Sequence, residues 1–110
     1  MQRARVGDVA VQIELSREAQ AMLDEADEQW GAEHGFDADN PLLNEVARAA
    51  DLLRENPELG VLYRGQSFRR DVRRLLLRSG WHLYYTHDSE RSSIVIVAVW
   101  FSNRGADPAL

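Results

Sequence analysis

Cysteine is absent from this 110-residue chain, and so is lysine. Without cysteine there can be no disulfide framework and no thiolate metal site. Without lysine, every permanent positive side-chain charge is a guanidinium, which stays charged at any physiological pH and grips carboxylate or phosphate through a planar fork. Long apolar runs are missing too. A bilayer span needs about 18 consecutive apolar residues, whereas the longest run here, Ile94-Val-Ile-Val-Ala-Val-Trp-Phe101, has the length of a strand. The start, Met1-Gln-Arg-Ala-Arg-Val6, carries no apolar stretch of the secretory kind. No membrane association is expected, and the cytosol is the expected compartment.

Several chemical signatures are lacking as well. No G-x-x-x-x-G-K-[ST] phosphate loop and no G-x-S-x-G nucleophile elbow occurs. The three histidines, His34, His82 and His87, have no paired-ligand spacing. They read as polar side chains at helix and strand edges or ends. Neither a metal nor a cofactor is expected.

What is present is enough for one core. The chain is 45% hydrophobic, ordinary for a globular protein, and its length suits a single domain over residues 1–110. The net charge of −5 hides a split. Met1 to Leu59 holds 5 Arg against 14 Asp and Glu, a balance of −9, and Gly60 to Leu110 holds 8 Arg against 4, a balance of +4. An acidic surface repels nucleic acid and a basic one attracts it, so the whole-chain value says little about partners.

The element pattern follows from periodicity. Val9, Val11, Ile13 and Leu15 alternate with Ala10, Gln12 and Glu14, the period of a half-buried strand. Ser16 is placed to cap a helix whose stripe is Ala19, Met22, Leu23, Ala26 and Trp30. Asp24, Glu25, Asp27 and Glu28 fall on its wet side, and Gly31 or Gly35 stops it. Asn40-Pro41 reads as N-cap and first residue of a second helix, with Leu43, Val46, Ala47, Ala50 and Leu53 as its stripe and Asn56-Pro57 as its end. The short connection predicts an antiparallel helical hairpin. Leu59 to Arg70 reads as a loop, followed by strands over Val72 to Arg78, Trp81 to His87 and Ile94 to Phe101. The last is apolar on both faces, as a central strand is. Ser102 to Leu110 reads as an irregular tail. The expected fold is α+β, in the order β-α-α-β-β-β, with the hairpin packed on one face of a mostly antiparallel four-stranded sheet.

The arginines carry the strongest chemical signal. Arg64, Arg69, Arg70, Arg73, Arg74 and Arg78 lie within 15 residues. On a strand through Arg78, Arg74 and Arg78 share one face and Arg73 takes the other. Helices cover one face, so some of these arginines project from the open face, where Arg104 could join them. The competing expectation is that they pair with the acidic helices or keep the sheet soluble. The tryptophans Trp30, Trp81 and Trp100 read most simply as core.

These pieces, in this order, resemble the RelE/ParE superfamily of toxins from type II toxin–antitoxin modules, and most of all its ParE-like branch of plasmid stabilisation proteins. The resemblance runs from about Val9 to Gly105. It rests on the strand followed by Ser16-Arg-Glu-Ala19, on Asn56-Pro-Glu-Leu-Gly60, on Val72-Arg-Arg-Leu-Leu-Leu-Arg-Ser-Gly-Trp-His-Leu-Tyr-Tyr85, and on Val97-Ala-Val-Trp-Phe-Ser-Asn-Arg-Gly105. It implies the fold just described. It also implies a growth-inhibiting bacterial toxin silenced by a cognate antitoxin, whose C-terminal region wraps the toxin as a helix and an extended segment.

The superfamily divides into RelE-like members that cut mRNA in the ribosome and ParE-like members that poison DNA gyrase. Ribonuclease members use basic side chains on the sheet, a basic residue after the last strand and a tyrosine near the C-terminus. Arg78 matches the sheet arginine, but Phe101 and Ser102 stand where a basic residue is usual, and no tyrosine follows Tyr85. By resemblance, Arg74, Arg78 and Arg104 are the catalytic candidates of a ribonuclease. Arg73, Arg74, Arg78, Trp100, Phe101 and Arg104 are the residues expected to meet the target or the antitoxin. The leading expectation is a gyrase-directed toxin that needs no catalytic residues. A ribosome-dependent endoribonuclease is the alternative, and an inactive relative that still binds its antitoxin is the third reading.

Overall fold

Ser16 starts the first helix and ties it to the sheet. In the computed structural model, which describes residues 11–63 and 71–101, the Ser16 hydroxyl accepts from Ala19 N at 3.0 Å, and Ser16 N donates to Ile96 O at 2.9 Å. The chain runs β1 (Gln12–Leu15), α1 (Arg17–His34), α2 (Pro41–Glu55), β2 (Val61–Tyr63), β3 (Val72–Leu76), β4 (Trp81–Asp88) and β5 (Ser93–Phe101). The sheet order is β1-β5-β4-β3-β2. β1 pairs parallel to β5 and all other pairs are antiparallel.

The sheet therefore has five strands where four were expected. The addition is β2, inside the segment read as a loop. Three residues are too short to show an alternation, and Val61 to Tyr63 gain their place by pairing with Arg74 to Val72. The expected strand over Val72 to Arg78 stops at Leu76, because Leu77 N donates to Trp81 O at 2.7 Å and closes the turn. Gly80 completes that turn at φ +96°, a conformation glycine adopts without strain.

Both helices lie against one face of the sheet. Ala19, Leu23 and Ala26 of α1 and Leu42, Val46, Ala49 and Leu53 of α2 form a core with Leu77, Leu83, Tyr85, Ile94, Ile96 and Val99. α1 lies along β5, and each helix also touches β1, so the helices pack on the sheet more than on each other. The expected hairpin is thus only partly realised. The α2 stripe also differs from expectation: Leu42 and Ala49 are buried, while Leu43 and Ala47 are exposed. Side-by-side Leu42-Leu43 and Ala49-Ala50 offer two stripes one residue apart, and both fit the helical period. The Asn40 cap decides between them. Its side chain accepts from Leu42 N at 3.0 Å and donates to Asp27 of α1 at 3.2 Å, which turns Leu42 inward.

β5 contains a bulge. Tyr84 opposes Ala98 and Tyr85 opposes Ile96, so Val97 has no opposite number. Ile94 and Ile96 face the helices before it, and Val99 does so after it. Among the described residues, no helix is long and apolar enough to cross a membrane.

Candidate functional site

The face of the sheet away from the helices carries a mixed aromatic and cationic surface. Register places Val61, Arg74, Tyr84 and Ala98 in one row across four strands, and Leu76, His82 and Trp100 in a neighbouring row. Val72, Tyr84 and Ala98 are buried beneath this face, with Tyr63, Val97, Trp100 and Met22 packed against them. The Arg74 guanidinium sits 5.5 Å from the Tyr63 ring centre, within cation–π range. Tyr63 meets Tyr84 edge-on at 4.9 Å, and Tyr84 meets His82 edge-on at 6.2 Å. Arg74, Tyr63, His82 and Trp100 thus surround the fully buried Tyr84 as one continuous group that is both cationic and aromatic.

The other predicted residues are elsewhere. Arg73 points to the helix side, where Nη1 donates to Gly60 O at 2.7 Å and to Glu58 O at 3.3 Å, and Nη2 meets Glu58 Oε1 at 3.3 Å. Its fork is committed to the turn between α2 and β2. Arg78 lies past the end of β3, in the turn that leads to β4, and lines a groove with Arg48, Ala49 and Leu52 of α2. It does not share a face with Arg74, as the longer strand would have required. Phe101 opposes Trp81 on the helix side, ring centres 5.4 Å apart. The two line a cleft of about 270 Å³ with Trp30 and Asn40. Trp100 and Phe101 therefore belong to opposite faces. Arg64, Arg69, Arg70, Ser102 and Arg104 lie outside the described residues.

Sequence reasoning overlooked Tyr85. Its fully buried hydroxyl accepts from Gly60 N at 2.9 Å and donates to Pro57 O at 2.8 Å. Burial pushes its pKa above the ordinary phenol value, a rise opposed by the Gly60 hydrogen bond and by Arg73 and reinforced by Glu58. The Tyr84-Tyr85 pair on a strand was the available signal, since the two rings must face opposite ways. Among the described residues, no three His, Asp or Glu side chains gather as a metal site.

The family model described as the ParE toxin of the type II toxin–antitoxin system, parDE, matches residues 13–104. The chain belongs to this ParE toxin family. No curated protein matches it. Among solved structures, a chain of the chromosomal ParDE toxin–antitoxin system from P. aeruginosa is similar at a TM-score of 0.65 and 15% identity, covering 84% of this chain and 96% of that one. The toxin–antitoxin complex RelBE2 from Mycobacterium tuberculosis is similar at 0.59 and 20% identity, covering 84% and 99%. The intact E. coli RelBE complex gives 0.57 and 16% identity, covering 86% and 100%. At these identities the likeness is one of fold, and it spans both the ParE and the RelE arms. This ParE-family chain is a type II toxin–antitoxin toxin of the ParE/RelE group.

Proposed function

We propose that this toxin arrests growth by binding DNA gyrase and is held silent by an antitoxin encoded beside it. The observation that carries the reading is the divergence of Arg73, Arg74 and Arg78 among the described residues. Cleaving RNA through its 2′-hydroxyl calls for several cations aimed at one phosphate. Here Arg73 is committed to Gly60 and Glu58, Arg74 lies against Tyr63, and Arg78 lines a groove beside α2. A gyrase inhibitor needs a protein-binding surface and no such convergence. The open face with Arg74 and Trp100 suits that role, because arginine and tryptophan are enriched among the residues that dominate binding energy.

The second reading, a ribosome-dependent endoribonuclease, rests on Arg74 and His82 sharing the open face, with the buried Tyr84 beside both. Expression in a sensitive bacterial host without antitoxin separates the two. Growth arrest with DNA-damage signalling, together with inhibition of purified gyrase, is the expected outcome. Translation arrest with cleaved transcripts establishes the ribonuclease instead, and normal growth rejects both.

A further inference from the structure

On the helix side, a cleft of about 270 Å³ opens between the last turns of α1, the start of α2 and the neighbouring ends of β4 and β5. Its walls hold three aromatic rings, Trp30, Trp81 and Phe101, with Pro41 and Leu42 beside them. All three aromatic residues are only half-buried. They are nevertheless braced. His34 stacks on Trp30 with ring centres 3.7 Å apart, and Trp81 and Phe101 lie against each other at 5.4 Å. The rim between the helices is fixed by Asn40, which bonds Leu42 N and Asp27. A built, aromatic-walled cleft with a few polar groups at its edge is the usual form of a small-ligand site.

Charge selects the guest. Among the described residues Glu33 is the one ionisable side chain on the walls, and it has no ion-pair or hydrogen-bond partner there. Between Arg17 and Arg48 the chain holds nine Asp and Glu and no Arg. Arg17, the one arginine of α1, stands about 24 Å from Glu33 along the helix, well beyond the ~8 Å screening length of physiological salt. Aromatic faces are negative and attract cations, and the carboxylate adds to that attraction. An anion is repelled by both. A metal ion needs several ligands at once, and among the described residues no such group gathers. A neutral apolar guest leaves Glu33 unused. A cation clothed in methyl groups uses the rings and the carboxylate together. At ~30 Å³ per water, the cleft has the volume of roughly nine waters, which limits the guest to about that many heavy atoms.

We propose that this cleft binds a small free organic cation of the quaternary-ammonium class, with its methyl groups against Trp30, Trp81 and Phe101 and its charge answered by Glu33. Trp81 packs with the helix-side core, whereas Trp100 packs with the cluster beneath the open face. The site is therefore separate from the surface that carries Arg74 and Trp100, and it stands whether the toxin's target is gyrase or the ribosome.

The test is titration of the full chain with tetramethylammonium chloride at constant ionic strength, followed by amide and indole NMR signals. Saturable shifts centred on Trp30, Trp81 and Phe101 are expected, with a Kd of about 1 mM or tighter. tert-Butanol, a neutral molecule of like size, should bind at least about fivefold more weakly. Phe101→Leu should weaken binding by about fivefold, and Glu33→Gln by about threefold or more. Glu33 is exposed, so the Glu33→Gln spectrum should otherwise match that of the parent and keep the test independent of folding. Glu18→Gln, the same change about 22 Å away along α1, should alter affinity less than about 1.5-fold. The proposal is wrong if no shift saturates by about 20 mM, or if tert-butanol binds as tightly. It is also wrong if Glu18→Gln weakens binding as much as Glu33→Gln, which would mean diffuse attraction to an acidic helix. Binding of N-acetylarginine amide without binding of tetramethylammonium would overturn it too, by making the occupant a protein side chain.

Discussion

Arg73 and Tyr85 oppose each other across β3 and β4 and hold the same turn from two sides. Arg73 donates to Gly60 O, while Tyr85 takes the Gly60 N–H and gives its own proton to Pro57 O. The five residues from Asn56 to Gly60 link α2 to β2, so this grip sets where the edge strand begins.

Tyr85→Phe leaves the Gly60 N–H buried without an acceptor, and an unsatisfied buried donor costs roughly 1–3 kcal/mol. Urea denaturation should show a loss of that size. A variant as stable as the parent would mean that the two hydrogen bonds add nothing to the fold.

The same residue predicts a pH dependence. Its folded pKa lies above the unfolded one, so the neutral phenol favours the folded state. That contribution is fully present below about pH 10, the ordinary phenol value, and falls away as pH rises through the folded value. Stability measured between pH 8 and pH 11 should decline less steeply in Tyr85→Phe than in the parent. Equal slopes would refute the assignment.

Gly60→Ala should destabilise without any change in charge. A Cβ there would stand 2.9 Å from the Arg74 carbonyl oxygen and 2.9 Å from the Tyr85 ring. The first is backbone in a paired strand and cannot easily move. Overpacking of this kind costs about 1–3 kcal/mol, readable as a lowered thermal midpoint.

Ser16→Ala removes the N-cap acceptor of α1, at a cost of about 0.5–2 kcal/mol. Amide exchange should quicken first at Ala19, whose N–H bonds the serine hydroxyl.

The functional prediction concerns His82. If gyrase is the target, no proton moves during inhibition, so whatever toxicity His82→Ala retains should come with DNA-damage signalling and intact transcripts. Cleaved transcripts from the parent, with cleavage and toxicity both lost in His82→Ala, would replace gyrase with the ribonuclease.

Much of this arrangement was legible in the residues. Ser16 and Asn40-Pro41 announced both helix starts, and the long runs from Trp81 and Ile94 announced the two longest strands. Other parts were hidden for definite reasons. The parallel pairing of β1 leaves no local mark, because strand direction is set by the crossover and not by alternation. β2 is too short to show a period. Leu75-Leu76-Leu77 continues the apolar character past the true end of β3, and this placed Arg78 beside Arg74 in the reading and apart from it in the structure. The arginine cluster was visible as composition, but its division into a clamp (Arg73), an open-face cation (Arg74) and a groove rim (Arg78) depends on where the strand stops.

Val97 acts as a phase shifter. Side chains of β5 that follow it point opposite to where strict alternation from Ile94 would send them. Were Val97 paired regularly instead of bulged out, every residue downstream would exchange faces, since a one-residue slip exchanges the two faces of a strand. Val99 and Phe101 would turn away from the helices, and Trp100 would be driven into the core. The division between a face that builds the fold and a face free to meet a target thus hangs on a single residue with no opposite number.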